Sequence, residues 1–138
     1  MRTLEVADHL LLGRRFDVSV WLTGVASALF VVTFLLRLLA VFGPLPVASE
    51  GLDGVALGLA LVVAAAAAYY NDGLLVSVAL AASLSMGFYL PHAFALLTRP
   101  HESALLALGL GVGYALLLGA AGFLVGAGAR RALAEVRG

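Results

Sequence analysis

The chain has 138 residues, 63% of which are hydrophobic, and its formal net charge is zero. Its eight basic residues are all arginine and it contains no cysteine, so the sequence excludes lysine Schiff-base chemistry, a phosphate-loop lysine, thiolate catalysis and disulfides. The apolar fraction is well above the roughly 45–50% of soluble globular domains, and a chain of this length makes one domain, residues 1–138.

Four long apolar runs follow one another along the chain and fill most of it. They predict membrane-spanning helices over residues 18–42, 51–70, 74–97 and 103–129. Each is close to the roughly 20 residues that a helix needs to cross the hydrocarbon core of a bilayer. Arg37 is the only charged residue more than one helical turn inside a run, and charges in that core are costly. The predicted fold class is therefore all-α, a four-transmembrane-helix bundle with up-down-up-down topology.

The first run ends at Gly43, because Pro44 and Pro46 cannot continue a helix. Arg37 lies six residues before Gly43, or about 9 Å of helix rise below that end. Two interpretations of Arg37 stay open. Its side chain either snorkels to the lipid headgroups or forms an ion pair with Glu50 or Asp53, which we expect on the adjoining loop.

The second run ends at Asn71-Asp72-Gly73, a sequence typical of a tight reversal. So short a connection predicts that the second and third helices are antiparallel neighbours. The stretch YYNDGLLVS, together with the arginine-only basic residues, resembles small uncharacterised four-span membrane proteins of salt-loving archaea. The resemblance covers chiefly the second and third helices and their turn, and it implies a membrane location without any particular chemistry.

The third run carries His92 directly after Pro91. We expect His92 and Arg37 at similar depth, where they outline an outward-facing polar vestibule with Glu50 and Asp53 above them. Such a histidine could sense pH or relay a proton. The alternative is an interfacial histidine that bonds to a nearby carbonyl or headgroup. The spacing of the histidines and carboxylates fits neither a zinc motif nor paired haem ligands, so we predict no metal and no cofactor.

Glycines recur at four-residue spacing on the second and fourth helices. The pairs are Gly54/Gly58, Gly109/Gly113 and Gly122/Gly126. Small residues let helix backbones approach closely, which matters in lipid because the hydrophobic drive for association is absent there. These pairs predict either helix-packing faces or a chance product of a chain rich in glycine and alanine.

Arginines concentrate at the two ends of the chain, at positions 2, 14, 15, 130, 131 and 137. The positive-inside rule therefore predicts that both termini are cytoplasmic. No catalytic residues are recognisable, and we predict a protein that is not an enzyme. The leading interpretation is a multi-pass protein of the cell membrane that acts as a non-catalytic accessory or scaffold subunit, with the lipid bilayer and either itself or another membrane protein as partners and no nucleic acid. The alternative is a small oligomeric transporter or channel that uses the vestibule near Arg37 and His92.

Overall fold

The fold is all-α, as predicted from the apolar runs. The computed structural model describes Leu11 and residues 13–43, 49–97 and 104–137. Within these ranges it has four long helices: α1 (Phe16–Phe42), α2 (Ser49–Asn71), α3 (Leu74–Leu97) and α4 (Ala104–Arg137). All four are long and apolar enough to cross a membrane, so the chain is a multi-pass membrane protein. Asp53 lies in the second turn of α2, because that helix begins at Ser49, before the predicted start.

Helices α3 and α4 compare differently with their predicted boundaries. α3 occupies the predicted range and continues through Pro91 to Leu97. α4 extends eight residues beyond the predicted end, to Arg137, and contains 34 residues. A helix of that length rises about 51 Å, which exceeds the roughly 30 Å hydrocarbon core. The last turns of α4 therefore project past the membrane.

The start of α1, the α2–α3 turn and the end of α4 meet at one end of the bundle. The Arg14 N–H donates to the Asn71 carbonyl, and the Arg130 guanidinium lies 3.6 Å from the Asp72 carboxylate. We call this end the turn end. The opposite end is the loop end, where α1 finishes at Phe42 and α4 begins at Ala104.

The central helix of the bundle is α3, which packs against each of the other three. α2 also packs on α4, whereas α1 makes only slight contact with α2. The core at the centre consists mainly of small or medium side chains. It includes Ala60, Ala64, Ala67, Leu80, Ala81 and Leu84. Helices α2 and α3 are thus antiparallel neighbours, as their short connection predicts, and α1 is the least enclosed helix.

A seam of small residues lets α4 approach α2 and α3. Gly111 and Gly119 face α3, and a Cβ built on Gly119 would lie 2.6 Å from the Val78 Cα. Gly122 and Gly126 face α2, and a Cβ on Gly122 would lie 2.6 Å from the Ala64 Cβ. Larger side chains at these positions would push the helices apart.

Asn71 connects the turn end through hydrogen bonds. Its side chain is fully buried, its Nδ2 donates to Ser19 Oγ at 2.6 Å, and its Oδ1 accepts the Arg15 N–H at 3.1 Å. Its carbonyl accepts the Arg14 N–H at 2.8 Å. Gly13, which has φ +88°, lies so close to Asn71 that a Cβ there would come within 2.5 Å of Nδ2. The start of α1 is therefore fixed on the end of α2.

Asp72 completes the turn with a backbone that few residues adopt. Its φ is 59°, in the left-handed region that aspartate and asparagine tolerate better than other non-glycine residues. Its carboxylate forms ion pairs with Arg130 at 3.6 Å and with Arg131 at 3.8 Å. The end of α4 is thus attached to the turn that joins α2 and α3.

Candidate functional site at the loop end

Arg37 lies on α1 five residues before the helix ends at Phe42, about 8 Å of helix rise from that end. Its side chain is half-buried, and its guanidinium carbon lies 4.1 Å from the centre of the Phe88 ring. A cation over an aromatic face is attracted by the ring quadrupole. The buried Nε of Arg37 has no hydrogen-bond partner among the described residues. An aromatic face therefore holds this cation in the described part of the bundle.

Asp53 brings the opposite charge to the same end of the molecule. Its Oδ1 is buried and likewise has no hydrogen-bond partner in the described ranges. Asp53 and Arg37 both lie close enough to Tyr89 to interact with its hydroxyl electrostatically. They do not form an ion pair with each other, since both ion pairs between described side chains belong to Asp72.

Aromatic rings join these charges to α3 and α4. Tyr89 stacks on Tyr114 of α4 with ring centres 5.7 Å apart, and its edge meets Phe88 at 5.5 Å. These contacts join α1, α3 and α4 in one group, and Asp53 of α2 is linked to it by its electrostatic interaction with Tyr89. We call it the loop-end cluster, and its members are Arg37, Asp53, Phe88, Tyr89 and Tyr114.

The space beside Arg37 is an apolar cleft between two helices. Its volume is about 360 Å³, and Arg37 lines it together with residues of α1 and α2. Leu84 and Phe88 of α3 form its floor. Leu36 and Leu59 at its sides are exposed, so the cleft opens laterally towards lipid. Apart from Arg37 and the hydroxyl of Thr33, its lining is hydrocarbon.

His92 is not part of this group. Its side chain is exposed, whereas Pro91 and Ala93 on either side of it are buried. The sequence spacing places Ser77, Ala81, Ser85, Phe88 and His92 on one stripe of α3, at steps of three and four residues. At 100° per residue, however, His92 has rotated about 60° from the direction of Ser77. Ser77, Ser85 and Phe88 of that stripe are buried. The stripe thus leaves the bundle interior at its last member, and the aromatic contact of Arg37 is with Phe88.

Glu50 is the remaining residue of the predicted vestibule. Its backbone belongs to the first turn of α2, and its side chain lies outside the part of the chain that the structure describes. Of the four predicted vestibule residues, the structure therefore brings Arg37 and Asp53 to one cluster. The aromatic members, Phe88, Tyr89 and Tyr114, were not predicted as site residues. The sequence nevertheless contained a signal for two of them, because Phe88 and Tyr89 lie close to His92, at a depth similar to that of Arg37.

The glycine pairs are divided between the two ends of the bundle. Gly122 and Gly126, in the turn-end half, are buried against α2. The four paired glycines of the loop-end half, Gly54, Gly58, Gly109 and Gly113, are all exposed, and a Cβ on any of them would meet no atom of the described residues within 4 Å. We call these four the open glycines. Gly111, only two residues from Gly109 and Gly113, faces α3 instead, because two residues correspond to about 200° around a helix.

Comparison with protein-family models, with curated proteins and with solved structures finds no match for this chain.

Proposed function

We propose that this multi-pass membrane protein is a non-catalytic accessory or scaffold subunit that packs on another membrane protein, or on a second copy of itself, through the loop-end halves of α2 and α4. The observation that carries the proposal is the position of the open glycines. Two Gly-x-x-x-Gly pairs face away from the bundle with free space around them. Such surfaces admit a neighbouring backbone at close range.

The cost of these glycines supports the same interpretation. Glycine destabilises a helix interior by about 0.8–1.0 kcal/mol relative to alanine. At Gly119, Gly122 and Gly126 that cost is offset by close packing within the chain. Close packing within the described part of the chain does not offset this cost at the open glycines, Gly54, Gly58, Gly109 and Gly113. Contact with a partner helix would offset it, because dispersion contacts and close backbone approach drive helix association in lipid.

The proposal also includes an orientation in the cell membrane. Arg14, Arg15, Arg130 and Arg131 lie at the turn end, where the start of α1 meets the end of α4. An excess of arginine favours the cytoplasmic side. In this orientation the open glycines lie in the half of the bundle that is farther from the cytoplasm.

Association in vesicles tests the proposal directly. Donor- and acceptor-labelled copies of the full chain are reconstituted at decreasing protein-to-lipid ratios, and energy transfer is measured. We expect transfer above the random-mixing level, and we expect Gly58→Leu and Gly113→Leu to lower it. Gly128→Leu is the matched control, because Gly128 is equally open but belongs to the turn-end half and to no predicted pair.

A second measurement tests whether the partner is another membrane protein. Wild-type protein and the Gly113→Leu variant are purified in mild detergent from the native membrane, and bound proteins are compared. A partner that is retained by the wild type and by Gly128→Leu but lost from Gly113→Leu would support the proposal. A monodisperse monomer without a partner, together with random energy transfer, would refute it.

A second candidate function is a small oligomeric transporter or channel. The observation that favours it is that the half-buried side chains of Arg37 and Asp53, which carry opposite charges, each have a buried atom that lacks a hydrogen bond among the described residues. Charged groups within membrane spans are typical of ion and substrate pathways. Proton-coupled flux in reconstituted vesicles that is abolished by Arg37→Ala or His92→Ala would establish this function. Absence of flux in both directions would refute it.

A further inference from the structure

The slight contact between α1 and α2 leaves a second cleft at the turn end. Its volume is about 380 Å³, within the roughly 300–1,000 Å³ of small-ligand sites. Leu22 and Val25 of α1 form one wall, Val63 and Ala66 of α2 form the other, and Leu80 of α3 is the floor. The walls and the floor of this space are formed by hydrocarbon side chains. An acyl chain matches such a lining.

The mouth of this cleft has a different chemistry. Arg15, Trp21 and Tyr70 line it there. Trp21 and Tyr70 are 69% and 75% exposed, as befits aromatic residues at a membrane–water interface. Arg15 is exposed as well, and neither of the two ion pairs between described side chains involves it. Its backbone N–H is held by Asn71 Oδ1, so the base of this side chain has a fixed place at the mouth.

We propose that the α1–α2 cleft at the turn end binds one anionic phospholipid. An acyl chain lies between α1 and α2 on Leu80, and the phosphate binds the Arg15 guanidinium. Arginine suits this role because its planar donors match two phosphate oxygens at once. From its mouth inwards, the cleft presents a cation, then aromatic rings and then hydrocarbon walls. This order matches the order of the groups in a phospholipid. Asp17 is exposed on the first turn of α1 and is not among the residues that line the cleft, so the described part of the lining carries no negative charge.

Tryptophan fluorescence reports on this site without any label, because Trp21 is the only tryptophan of the chain. Bromine atoms on an acyl chain quench a tryptophan that they contact. The protein is reconstituted in two sets of vesicles with the same ratio of phosphatidylglycerol to phosphatidylcholine. The bromine is carried by the anionic lipid in one set and by the zwitterionic lipid in the other. We expect the brominated anionic lipid to quench Trp21 more strongly at equal mole fraction.

Two pairs of variants identify the groups responsible. Arg15→Gln is expected to lower the preference for the anionic lipid about fivefold, the effect of one basic residue near an anionic membrane surface. Arg14→Gln is the control, since Arg14 is an equally exposed neighbour that does not line the cleft. Ala66→Phe is expected to fill the cleft and remove the excess quenching. Ala120→Phe, at an exposed position of α4, is expected to preserve it.

Several outcomes would overturn the proposal. Equal quenching by the two lipids would show that Trp21 senses bulk lipid only. Equal losses in Arg14→Gln and Arg15→Gln would indicate a diffuse surface charge and no site. The same result in Ala66→Phe and Ala120→Phe would show that the cleft is not occupied. Loss of the excess quenching on addition of inorganic phosphate would indicate an anion site that does not need the acyl chain.

Discussion

The turn end and the loop end differ in the partners that they offer to polar groups within an apolar bundle. At the turn end, both side-chain polar atoms of Asn71 are hydrogen-bonded, to Ser19 and to the Arg15 backbone. Asp72 has a buried oxygen without a hydrogen bond, but arginines lie 3.6 and 3.8 Å from its carboxylate. At the loop end, Arg37 and Asp53 each have a buried atom without a hydrogen bond to any described residue, and they form no ion pair with each other. Buried polar groups in proteins normally have at least one hydrogen-bond partner.

The predicted glycine pairs also differ between the two ends. Gly122 and Gly126 are buried against α2 in the turn-end half, whereas all four open glycines lie in the loop-end half. Among the described residues, the predicted glycine pairs are therefore packed within the chain in the turn-end half and open in the loop-end half. Single glycines depart from this division, since Gly24 and Gly128 are open in the turn-end half and Gly87 and Gly111 are packed in the loop-end half. This difference is why we assign the partner surface to the loop-end half. If the two ends differ in energy as they do in geometry, matched substitutions at the two ends should have different effects on stability.

The largest effect is expected at Asn71. Asn71→Ala removes the acceptor of the Arg15 N–H and the donor to Ser19 in a buried position, so we expect the free energy of unfolding to fall by roughly 2–4 kcal/mol. Ser19→Ala is the control, since the Arg15 N–H keeps its acceptor there and a loss near 1 kcal/mol is expected. Reversible unfolding in mixed micelles measures both. Equal losses would contradict the double role of the Asn71 amide.

The next effect compares two glycines that receive the same substitution. Gly126→Ala would place a Cβ against the Ala65 carbonyl and 2.9 Å from the Ala68 Cβ, and such overpacking costs about 1–3 kcal/mol. Gly113→Ala adds the same methyl group in open space and should raise the stability of the monomer by up to about 1 kcal/mol through helix propensity. The measurement is unfolding of both variants at high dilution. Effects of the same sign would show that the glycines of the two halves do not differ.

Arg37 should respond in the opposite direction to Asn71. Arg37→Met removes a charge from the membrane span and replaces the cation–π contact with Phe88 by a sulfur–aromatic contact, so we expect the free energy of unfolding to rise by about 1 kcal/mol. Leu36→Met, at an exposed neighbouring position, should leave it nearly unchanged. A large loss of stability in Arg37→Met would mean that the loop end satisfies this charge as fully as the turn end satisfies its own.

Sequence patterns predicted the helices well because the bilayer demands long apolar runs. The reversal at Asn71-Asp72-Gly73 was equally accessible, since its residues suit a tight turn. The end of α4 was placed too early because the apolar run stops near Ala129. The following RRALAEVR consists mainly of strong helix formers, so the helix continues in water to Arg137.

The packing faces could not be predicted in the same way. In a membrane helix both the lipid-facing and the buried side are apolar, so hydrophobic periodicity does not separate them. Gly109, Gly111 and Gly113 therefore look alike in the sequence, although Gly111 alone faces α3. The contact between Asn71 and Ser19 joins residues 52 positions apart, and no local pattern indicates it. The absence of His92 from the cluster has a local cause. Residues spaced mainly four apart drift around a helix that has 3.6 residues per turn.

The smallest effect should come from the ion pairs of Asp72. Asp72→Asn keeps a residue that tolerates the left-handed backbone and removes the attraction to Arg130 and Arg131, whose distances of 3.6 and 3.8 Å and partial exposure make each pair weak. We expect a loss of about 0.5–1 kcal/mol that shrinks when unfolding is measured at high salt. Glu135→Gln, an exposed acid of α4 that takes part in neither of these ion pairs, should cause no loss. A salt-independent loss as large as that of Asn71→Ala would show that charge pairing, and not the Asn71 hydrogen bonds, holds the turn end together.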